Sequence, residues 1–220
     1  MYLILLGLPG AGKGTQAARL TKETGLVQVT TGELFRENIR EGTELGQKAK
    51  PYYDAGQLVP DELTIGMLLD RLSQPDCRNG CMFDGFPRNL KQAEALEEAL
   101  ASQGKQIGKA VCIRVDTEEL VRRLAGRWTC PQCGAVYHQV NQPPKQPGVC
   151  DVCGSQLRQR EDDRPDVVRT RLEVNLKELE PLLDYYRNQD KLIEVEGQRD
   201  PDEITRELTA IIKPDLRCRL

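Results

Sequence analysis

The sequence predicts an α/β fold in which a central parallel sheet is flanked by helices. Short apolar runs alternate with segments of helical periodicity along most of the 220 residues, which is typical of a doubly wound sheet. The first run, residues 1–6, passes directly into a glycine-rich loop, residues 7–15. The alternation is interrupted once, at residues 128–159, where proline, glycine and cysteine replace any helical period. This segment is predicted to be a small inserted domain.

The individual elements follow from apolar runs and from turn and capping signals. The predicted strands are residues 1–6, 27–29, 81–83, 109–115 and 191–195. The predicted helices are residues 13–24, 62–73, 89–103, 117–126, 165–189 and 201–212, with further helical pattern between 32 and 61 that is expected to break at 42–43, 50–51, 55–56 and 59–61. Asp61 and Asp200 are predicted N-caps. The tail, residues 213–220, is predicted to be disordered.

Composition excludes several classes of function. The net charge is −3 and charged residues make up 30% of the chain, so no basic field attracts nucleic acid. No apolar stretch approaches the roughly 20 residues of a membrane helix, and residues 1–6 are too short for the apolar part of a signal peptide. We therefore expect a soluble, cytoplasmic, monomeric protein that binds neither nucleic acid nor membrane.

The glycine-rich loop predicts a phosphate site. It reads Gly-Leu-Pro-Gly-Ala-Gly-Lys-Gly-Thr, the Gly-x-x-x-x-Gly-Lys pattern whose backbone N–H groups cradle phosphate oxygens. Lys13 supplies a charge for the terminal phosphates, and the Thr15 hydroxyl is placed to reach Mg²⁺ or a phosphate. Gly14 stands where the general motif has Ser or Thr. The glycines expected to need a backbone conformation closed to other residues are Gly7, Gly10, Gly12 and Gly14.

The inserted segment carries two Cys-x-x-Cys-Gly knuckles 16 residues apart, formed by Cys130, Cys133, Cys150 and Cys153. Two such pairs complete a closed tetrahedral thiolate site, which predicts a structural Zn²⁺. Two disulfides or four unrelated thiols are the alternatives. His138, the only histidine, is interpreted as a surface or packing residue. The other thiols are predicted to be buried or free: Cys77, Cys81, Cys112 and Cys218.

Charged residues near strand ends suggest phosphoryl chemistry. Arg88 closes the segment Asp84-Gly85-Phe86-Pro87-Arg88, and Asp84 follows its apolar strand as a Mg²⁺-holding carboxylate does. Arg123 and Arg127 stand at the entrance of the insert and Arg160 at its exit, where a hinged insert would swing them over phosphates. Asp162 and Asp163 are equally consistent with an exposed charge run.

Taken together, these motifs resemble the adenylate kinases, in particular the bacterial forms with a zinc-bearing lid, over about residues 1–212. The loop matches with Gly14 included, so that glycine is a family trait. Thr31 and Arg36 match the segment after the second strand, in which Thr30, Glu33 and Phe35 are substitutions. The remaining matches are Cys81–Gln92, Gly126-Arg127, Arg160-x-Asp-Asp and Val168-Arg169-x-Arg171.

The resemblance implies a P-loop nucleoside monophosphate kinase that transfers a phosphoryl group reversibly from ATP to AMP, giving two ADP, and so maintains the cellular balance of adenine nucleotides. It implies Mg²⁺ with ATP and a structural Zn²⁺. The implied domains are a core of residues 1–29, 60–126 and 165–212, a helical monophosphate-binding domain of residues 30–59, a zinc-bearing lid of residues 127–164 and the tail, 213–220.

The resemblance also implies the site residues. Those for ATP are Gly10, Ala11, Gly12, Lys13, Gly14, Thr15, Arg127, Val136, Tyr137 and Arg199. Those for AMP are Thr31, Arg36, Gln57, Leu58, Val59, Gly85, Phe86, Pro87, Arg88, Gln92, Arg160 and Arg171. Those for catalysis are Lys13, Asp84, Arg88, Arg123, Arg160 and Arg171.

Three other functions stay open on the sequence. A kinase for UMP or CMP would use the same motifs, although Gln92 and the zinc lid favour AMP. A zinc-ribbon module fused to a nucleotide-binding domain would bind nucleic acid in a salt-dependent way. An ATPase switch would hydrolyse ATP without any acceptor.

Overall fold

A computed structural model describes residues 1–55, 57, 59–78, 80–159 and 163–217. The strands are β1 (Tyr2–Leu6), β2 (Val27–Thr30), β3 (Cys81–Asp84), β4 (Ile107–Arg114), β5 (Arg127–Thr129), β6 (Val136–His138) and β7 (Leu192–Glu196). The helices are α1 (Lys13–Thr24), α2 (Thr31–Glu41), α3 (Glu44–Asp54), α4 (Asp61–Ser73), α5 (Leu90–Ala101), α6 (Thr117–Ala125), α7 (Pro165–Arg187) and α8 (Pro201–Arg217), with a 3₁₀ turn at Pro75–Cys77.

The predicted parallel sheet is confirmed, with five strands in the order β2-β3-β1-β4-β7. In register, Leu5 of the central strand β1 lies opposite Asp84 of β3 and Val111 of β4, and Thr30 of β2 also lies opposite Asp84. The carboxyl ends of these strands therefore meet at one edge of the sheet. The loops that follow β1, β2 and β3 start from that edge.

Both faces of the sheet are covered, which explains why β1 is apolar throughout and buried at every residue. Tyr2 and Ile4 pack on one face with Leu68 of α4, and α5 and α7 join the same cluster. Leu3 packs on the other face with Leu20 of α1, and α8 completes that cluster. Alternate residues of one strand thus hold helices on opposite faces of the sheet.

Two features expected of helices α3 and α4 are wrong. The break expected at residues 50–51 is wrong, since α3 continues through Pro51 to Asp54. Pro51 removes one hydrogen bond close to the C-terminal end of α3, where the amide of Ala55 still donates to the Pro51 carbonyl. The N-cap expected at Asp61 is also wrong. Pro60 holds the cap position of α4 and Asp61 is the first helical residue, with its carboxylate turned elsewhere.

The prediction of a disordered tail is wrong for residues 213–217, because these residues continue α8. Leu208 and Ile212 are fully buried against the sheet and α1, and Lys213 reaches Glu23 at 3.5 Å. Helix α8 thus runs five residues beyond the predicted end at residue 212. Asp200 does cap α8, accepting from the amide of Asp202 at 2.8 Å. Residues 218–220 lie outside the described part of the chain.

The insert contains a short sheet of its own. β5 and β6 pair antiparallel, with Arg127 opposite His138 and Thr129 opposite Val136, and Arg158 bonds back to Thr129 through both of its backbone groups at 2.8 Å. Among the described residues, no helix is both long and apolar enough to cross a bilayer.

Gly7 provides a test of how closely the loop after β1 approaches the backbone of β4. It has φ 138°, and a Cβ added there would lie 2.8 Å from the backbone oxygen of Ile113. We expect Gly7→Ala to lower the free energy of unfolding by several kcal/mol, because strained backbone and a backbone clash add. Chemical denaturation measures the change.

Gly25→Ala is the matched control. Gly25 has φ 73° with nothing within 4 Å of an added Cβ, so only the left-handed backbone is penalised, by about 1 kcal/mol. Equal losses in the two variants would contradict a close approach of the loop to β4.

Candidate functional site

The loop after β1 has the backbone expected of a phosphate cradle. Gly7, Gly10 and Gly12 all have positive φ, and Gly12 stands directly before the first turn of α1. The expectation for Gly14 is wrong, because this residue is helical and sits in the first turn of α1. A Cβ at Gly14 would lie 3.5 Å from Asp84 Oδ2, in ordinary contact, so backbone conformation does not require glycine there.

Lys13 is held inside this loop. Its Nζ donates to the carbonyl oxygens of Gly7 at 2.7 Å and Leu8 at 3.1 Å. Burial lowers the pKa of Lys13 to about 8; Asp84 opposes that shift, whereas Arg88 and Arg127 add to it. Lys13 is therefore close enough to three other charged residues of the site to respond to each of them.

Asp84, at the end of β3, faces the start of α1. Gln28 of β2 donates to its Oδ2 from Nε2 at 3.0 Å. Desolvation raises the pKa of Asp84, and the charge of Lys13 opposes the rise. Gln28 was not predicted as a site residue; its place one strand over from Asp84 becomes visible only when β2 pairs with β3.

Arg88 is tied to the strand edge by two hydrogen bonds. Its Nε donates to the Gly85 carbonyl and its Nη2 to the Thr31 hydroxyl, both at 2.9 Å. Thr31 in turn lies 3.4 Å from the Gly85 carbonyl. The loops after β2 and β3, predicted separately from the sequence, are thus joined through one guanidinium. Phe86 and Pro87, which lie between Gly85 and Arg88 in the chain, are buried and are linked by a cis peptide bond.

Gln92 of α5 belongs to the same region. Its Oε1 accepts from the backbone N–H of Arg88 at 2.8 Å, and its Nε2 donates to Asp61 Oδ1 at 2.5 Å. Asn89 donates to the other carboxylate oxygen of Asp61 at 3.1 Å. Asp61 is a second residue that the sequence did not identify as part of the site, since its position before a helix suggested only a cap.

Arg127 and Arg171 share one carboxylate. Arg127 donates from Nε and Nη2 to the two oxygens of Asp163, at 2.6 and 2.5 Å, and Arg171 donates from Nη1 at 2.8 Å. Asp163 is fully buried, so the interpretation of this residue as part of an exposed charge run is wrong. It links the base of the insert to α7. Arg160 and Asp162 lie outside the described residues.

Arg123 lies in a different environment from Arg127. It donates to Glu119 Oε1 at 2.7 Å and to the Gly197 carbonyl at 3.0 Å. Hydrogen bonds from Arg122 and Arg123 lower the pKa of Glu119 to about 2. Arg199, in the same β7–α8 connection as Gly197, pairs with Glu207. Arg123 thus joins α6 to the β7–α8 connection, in which Arg199 also lies.

Several predicted site residues have no contact with Lys13, Asp84 or Arg88 among the described interactions. Arg36 lines a cleft of about 290 Å³ along β2, together with Arg40 and Arg71. Gln57, Thr15 and Val136 are exposed, and Val59 is half-buried. Leu58 lies outside the described residues. The Tyr137 side chain packs inside the insert, where its hydroxyl accepts from the Asp151 amide at 2.8 Å.

The four cysteines of the insert form one cluster. Their Sγ atoms all lie within 4.8 Å of one another, with Cys130 and Cys153 at 3.4 Å and Cys133 and Cys150 at 3.5 Å. All four are free thiols. Four sulfurs held tetrahedrally at the Zn–S distance are about 3.8 Å apart, so the cluster has the size that Zn²⁺ requires.

The two knuckles are also alike in backbone. The Gly134 amide donates to the Cys130 carbonyl at 3.0 Å, and the Gly154 amide to the Cys150 carbonyl at 2.9 Å. His138 is not part of the cluster: its Nδ1 accepts from the amides of Val140 and Asn141. Like the cysteines of the insert, Cys77, Cys81 and Cys112 are free, and all three are buried in the core; Cys218 lies outside the described residues.

A phosphate loop after the central strand of a parallel sheet, faced by a strand-end carboxylate and by arginines from three other elements, defines a kinase of the P-loop class. A sequence model described as Adenylate kinase matches residues 5–191. The chain is 49% identical over 213 residues to the adenylate kinase of Oceanobacillus iheyensis, covering 97% of this chain and 99% of that one. It is also 49% identical over 213 residues to that of Archaeoglobus fulgidus, covering 97% and 98%. The chain belongs to the adenylate kinase family.

The buried carboxylate of Asp163 gives a prediction about stability. We expect Asp163→Asn to lower the free energy of unfolding by about 3 kcal/mol, because Arg127 and Arg171 then lose their buried counter-charge. Asp202→Asn is the control: Asp202 also pairs with an arginine, Arg19, but at an exposed position, so its loss is expected to stay below about 1 kcal/mol. Urea denaturation of both variants decides between a buried clamp and an incidental contact.

The thiolate cluster gives a prediction about metal content. Metal analysis of the purified protein is expected to find about one zinc per chain. Cys130→Ser should lose the metal and melt at a lower temperature, because metal binding to such a small unit contributes directly to its folding free energy. Cys112→Ser, which removes a buried thiol outside the insert, should keep its zinc. Wild-type protein without metal, or zinc retained by Cys130→Ser, contradicts the site.

Proposed function

We propose that the protein catalyses the reversible Mg²⁺-dependent transfer of the terminal phosphoryl group of ATP to AMP, giving two ADP, and thereby balances the cellular adenine nucleotides. The supporting observation is the convergence of charge on Lys13. The charge of Asp84 raises the pKa of Lys13, and the charges of Arg88 and Arg127 lower it. The charge of Arg171 likewise lowers the pKa of Arg88.

This arrangement suits phosphoryl transfer, which needs positioning and charge neutralisation more than covalent chemistry from the protein. The four cations come from four separate segments: the start of α1, the loop after β3, strand β5 and helix α7. Together they can therefore approach a transferring phosphoryl group, and the phosphates on either side of it, from different directions. An AMP phosphate oxygen is already a competent nucleophile, so no general base is required.

The donor phosphates would lie in the loop after β1, against its backbone amides, Lys13 and the N-terminus of α1. Asp84 fits a role in holding Mg²⁺, since it offers carboxylate oxygens beside the first turn of α1 and Gln28 fixes its direction. The ion would neutralise charge on the ATP phosphates. Thr15, exposed in that same turn, is the second oxygen donor that we assign to it.

The two arginines at the entrance of the insert have different proposed roles. Arg127 lies with Asp163 and Arg171 and influences Lys13, which supports a contact with phosphates. Arg123 donates to the carbonyl of Gly197, which lies two residues before Arg199 in the chain. This position supports a contact of Arg123 with the nucleoside of ATP. We therefore place Arg123 at nucleoside binding rather than at the transferring group.

The acceptor would lie across the strand edge, where Thr31, Arg88 and Gln92 are linked by hydrogen bonds. Arg36, Gln57 and Val59 would reach it only if residues 30–59 move as a domain. The zinc-bearing insert would act as a lid whose closure excludes water and so prevents hydrolysis of ATP. Action as a cytoplasmic monomer stays a prediction.

The test is an assay of ADP formation from ATP and Mg²⁺ with AMP, CMP, UMP and GMP in turn. AMP is expected to give the highest kcat/KM, and omission of Mg²⁺ or of any acceptor is expected to abolish ADP formation. Rapid hydrolysis of ATP without an acceptor would instead support an ATPase, and a preference for UMP or CMP would reassign the acceptor.

Arg88→Ala tests the assignment of the site within the same assay. We expect kcat/KM to fall by a factor on the order of 10² or more, because the charge that faces the acceptor phosphate is removed. Arg78→Ala removes an arginine outside the site, near the start of β3, and is the control. Turnover equal to wild type in Arg88→Ala would remove Arg88 from the site.

A further inference from the structure

Asp61 makes contacts that its position in α4 does not require. Its two carboxylate oxygens accept from side chains at the N-terminus of α5, one from Gln92 Nε2 at 2.5 Å and the other from Asn89 Nδ2 at 3.1 Å. Neither bond caps α4, whose N-cap position is held by Pro60. Gln92 is 5% exposed, so these contacts hold a buried amide.

The orientation of the Gln92 amide is fixed by the chemistry of its two partners. A carboxylate can only accept, so Nε2 must face Asp61. A backbone N–H can only donate, so Oε1 must face Arg88, whose amide lies 2.8 Å away. Turning the amide over would oppose two donors on one side and two acceptors on the other.

This fixed amide keeps one donor and one acceptor for a ligand. A glutamine side chain has two N–H groups and two oxygen lone pairs, and Asp61 and Arg88 use one of each. Because the amide nitrogen and oxygen share one planar carbon, the remaining N–H and lone pair can meet a ligand as a neighbouring donor and acceptor. Arg88, whose backbone N–H holds Oε1, bridges Thr31 and Gly85 at the strand edge through its guanidinium.

A base edge that complements this pair has a ring nitrogen acceptor beside an exocyclic amine. Adenine and cytosine present such an edge. Guanine and uracil present a ring N–H beside a carbonyl, which would oppose donor to donor and acceptor to acceptor. A nucleotide anchored by its phosphate cannot turn its base over to escape the mismatch.

We propose that Asp61 is a positioning residue that sets base selection in the monophosphate site by fixing the amide of Gln92. It acts without touching the nucleotide. The inference rests on the proposed function, because it takes the base of the acceptor to lie against Gln92.

A purely structural role for Asp61 makes a different prediction. Gln92 is the third residue of α5. Asn89 caps that helix, because its Oδ1 accepts from the backbone N–H of Gln92 at 2.9 Å. If Asp61 served only to hold this helix end, its loss would lower the melting temperature without changing the relative affinity for different bases.

The experiment compares Asp61→Asn with Glu62→Gln. Both variants remove one negative charge from the first turn of α4 and weaken a contact to α5, since Glu62 pairs with the neighbouring Lys91 at 2.5 Å in an exposed position. For each we measure kcat, the KM values for AMP and ATP, the inhibition constant of GMP against AMP, and the melting temperature. Asp61→Ser, whose hydroxyl donates as well as accepts, is the second variant should the first fold poorly.

We expect Asp61→Asn to raise the KM for AMP roughly tenfold, the weight of one hydrogen bond to a charged group. The KM for ATP should stay within about twofold, and the preference for AMP over GMP should fall by roughly the same tenfold. Glu62→Gln should change none of these constants.

Two results would overturn the inference: an unchanged preference for AMP over GMP in both Asp61 variants, or an equal loss of preference in Glu62→Gln. Failure of the proposed function is distinguishable, since wild-type protein would then form no ADP from ATP and AMP.

Discussion

The register of the parallel sheet is the constraint on which the rest of the structure depends. Leu5 of β1, Asp84 of β3 and Thr30 of β2 lie side by side, so the loops that follow these strands leave the sheet at one edge. The strand β1 is buried at every residue, which fixes its register because a slip of one residue would exchange its two apolar faces. Three loops distant in sequence are thereby brought to one place.

That edge concentrates positive charge, and in the protein without a ligand the repulsion and desolvation of these charges are unfavourable. Lys13, Arg88, Arg127 and Arg171 lie near one another, and burial lowers the pKa of Lys13 to about 8 because a charge is less favourable there than in water. Asp84 and the fully buried Asp163 offset part of this repulsion. Polyanionic phosphates would offset the rest.

The insert is stabilised in a different way. Its apolar cluster is small, consisting of Cys130, Tyr137, Cys150 and Leu157 with Trp128 and Ala135 packed against it. So little buried apolar surface does not offset the entropy of ordering some thirty residues, and a metal bound by the four thiols would supply the missing free energy. Arg127 connects this unit to the core through Asp163, so the folding of the insert and the assembly of the charged edge share a residue.

The sequence by itself determined the fold class, the five strands of the sheet, the phosphate loop, the cysteine cluster and the family. These features are written in local patterns: apolar periodicity, fixed spacing and glycine where the backbone demands it. Helix ends were less determined. The packing of Ile212 and the contact of Lys213 with Glu23 extend α8, and a single proline near the end of α3 was too weak a signal to stop it.

Only the tertiary structure decided which charges meet. On the sequence, Asp163 was equally consistent with an exposed charge run, and Asp61 was predicted to be a helix cap. In the structure, Asp163 pairs with two arginines in a buried position and Asp61 orients Gln92. Arg123 and Arg127, four residues apart, have different partners. An ion pair or a shared hydrogen bond depends on distance in space, and the sequence separation of Asp61 from Gln92 or of Arg127 from Asp163 carries no trace of it.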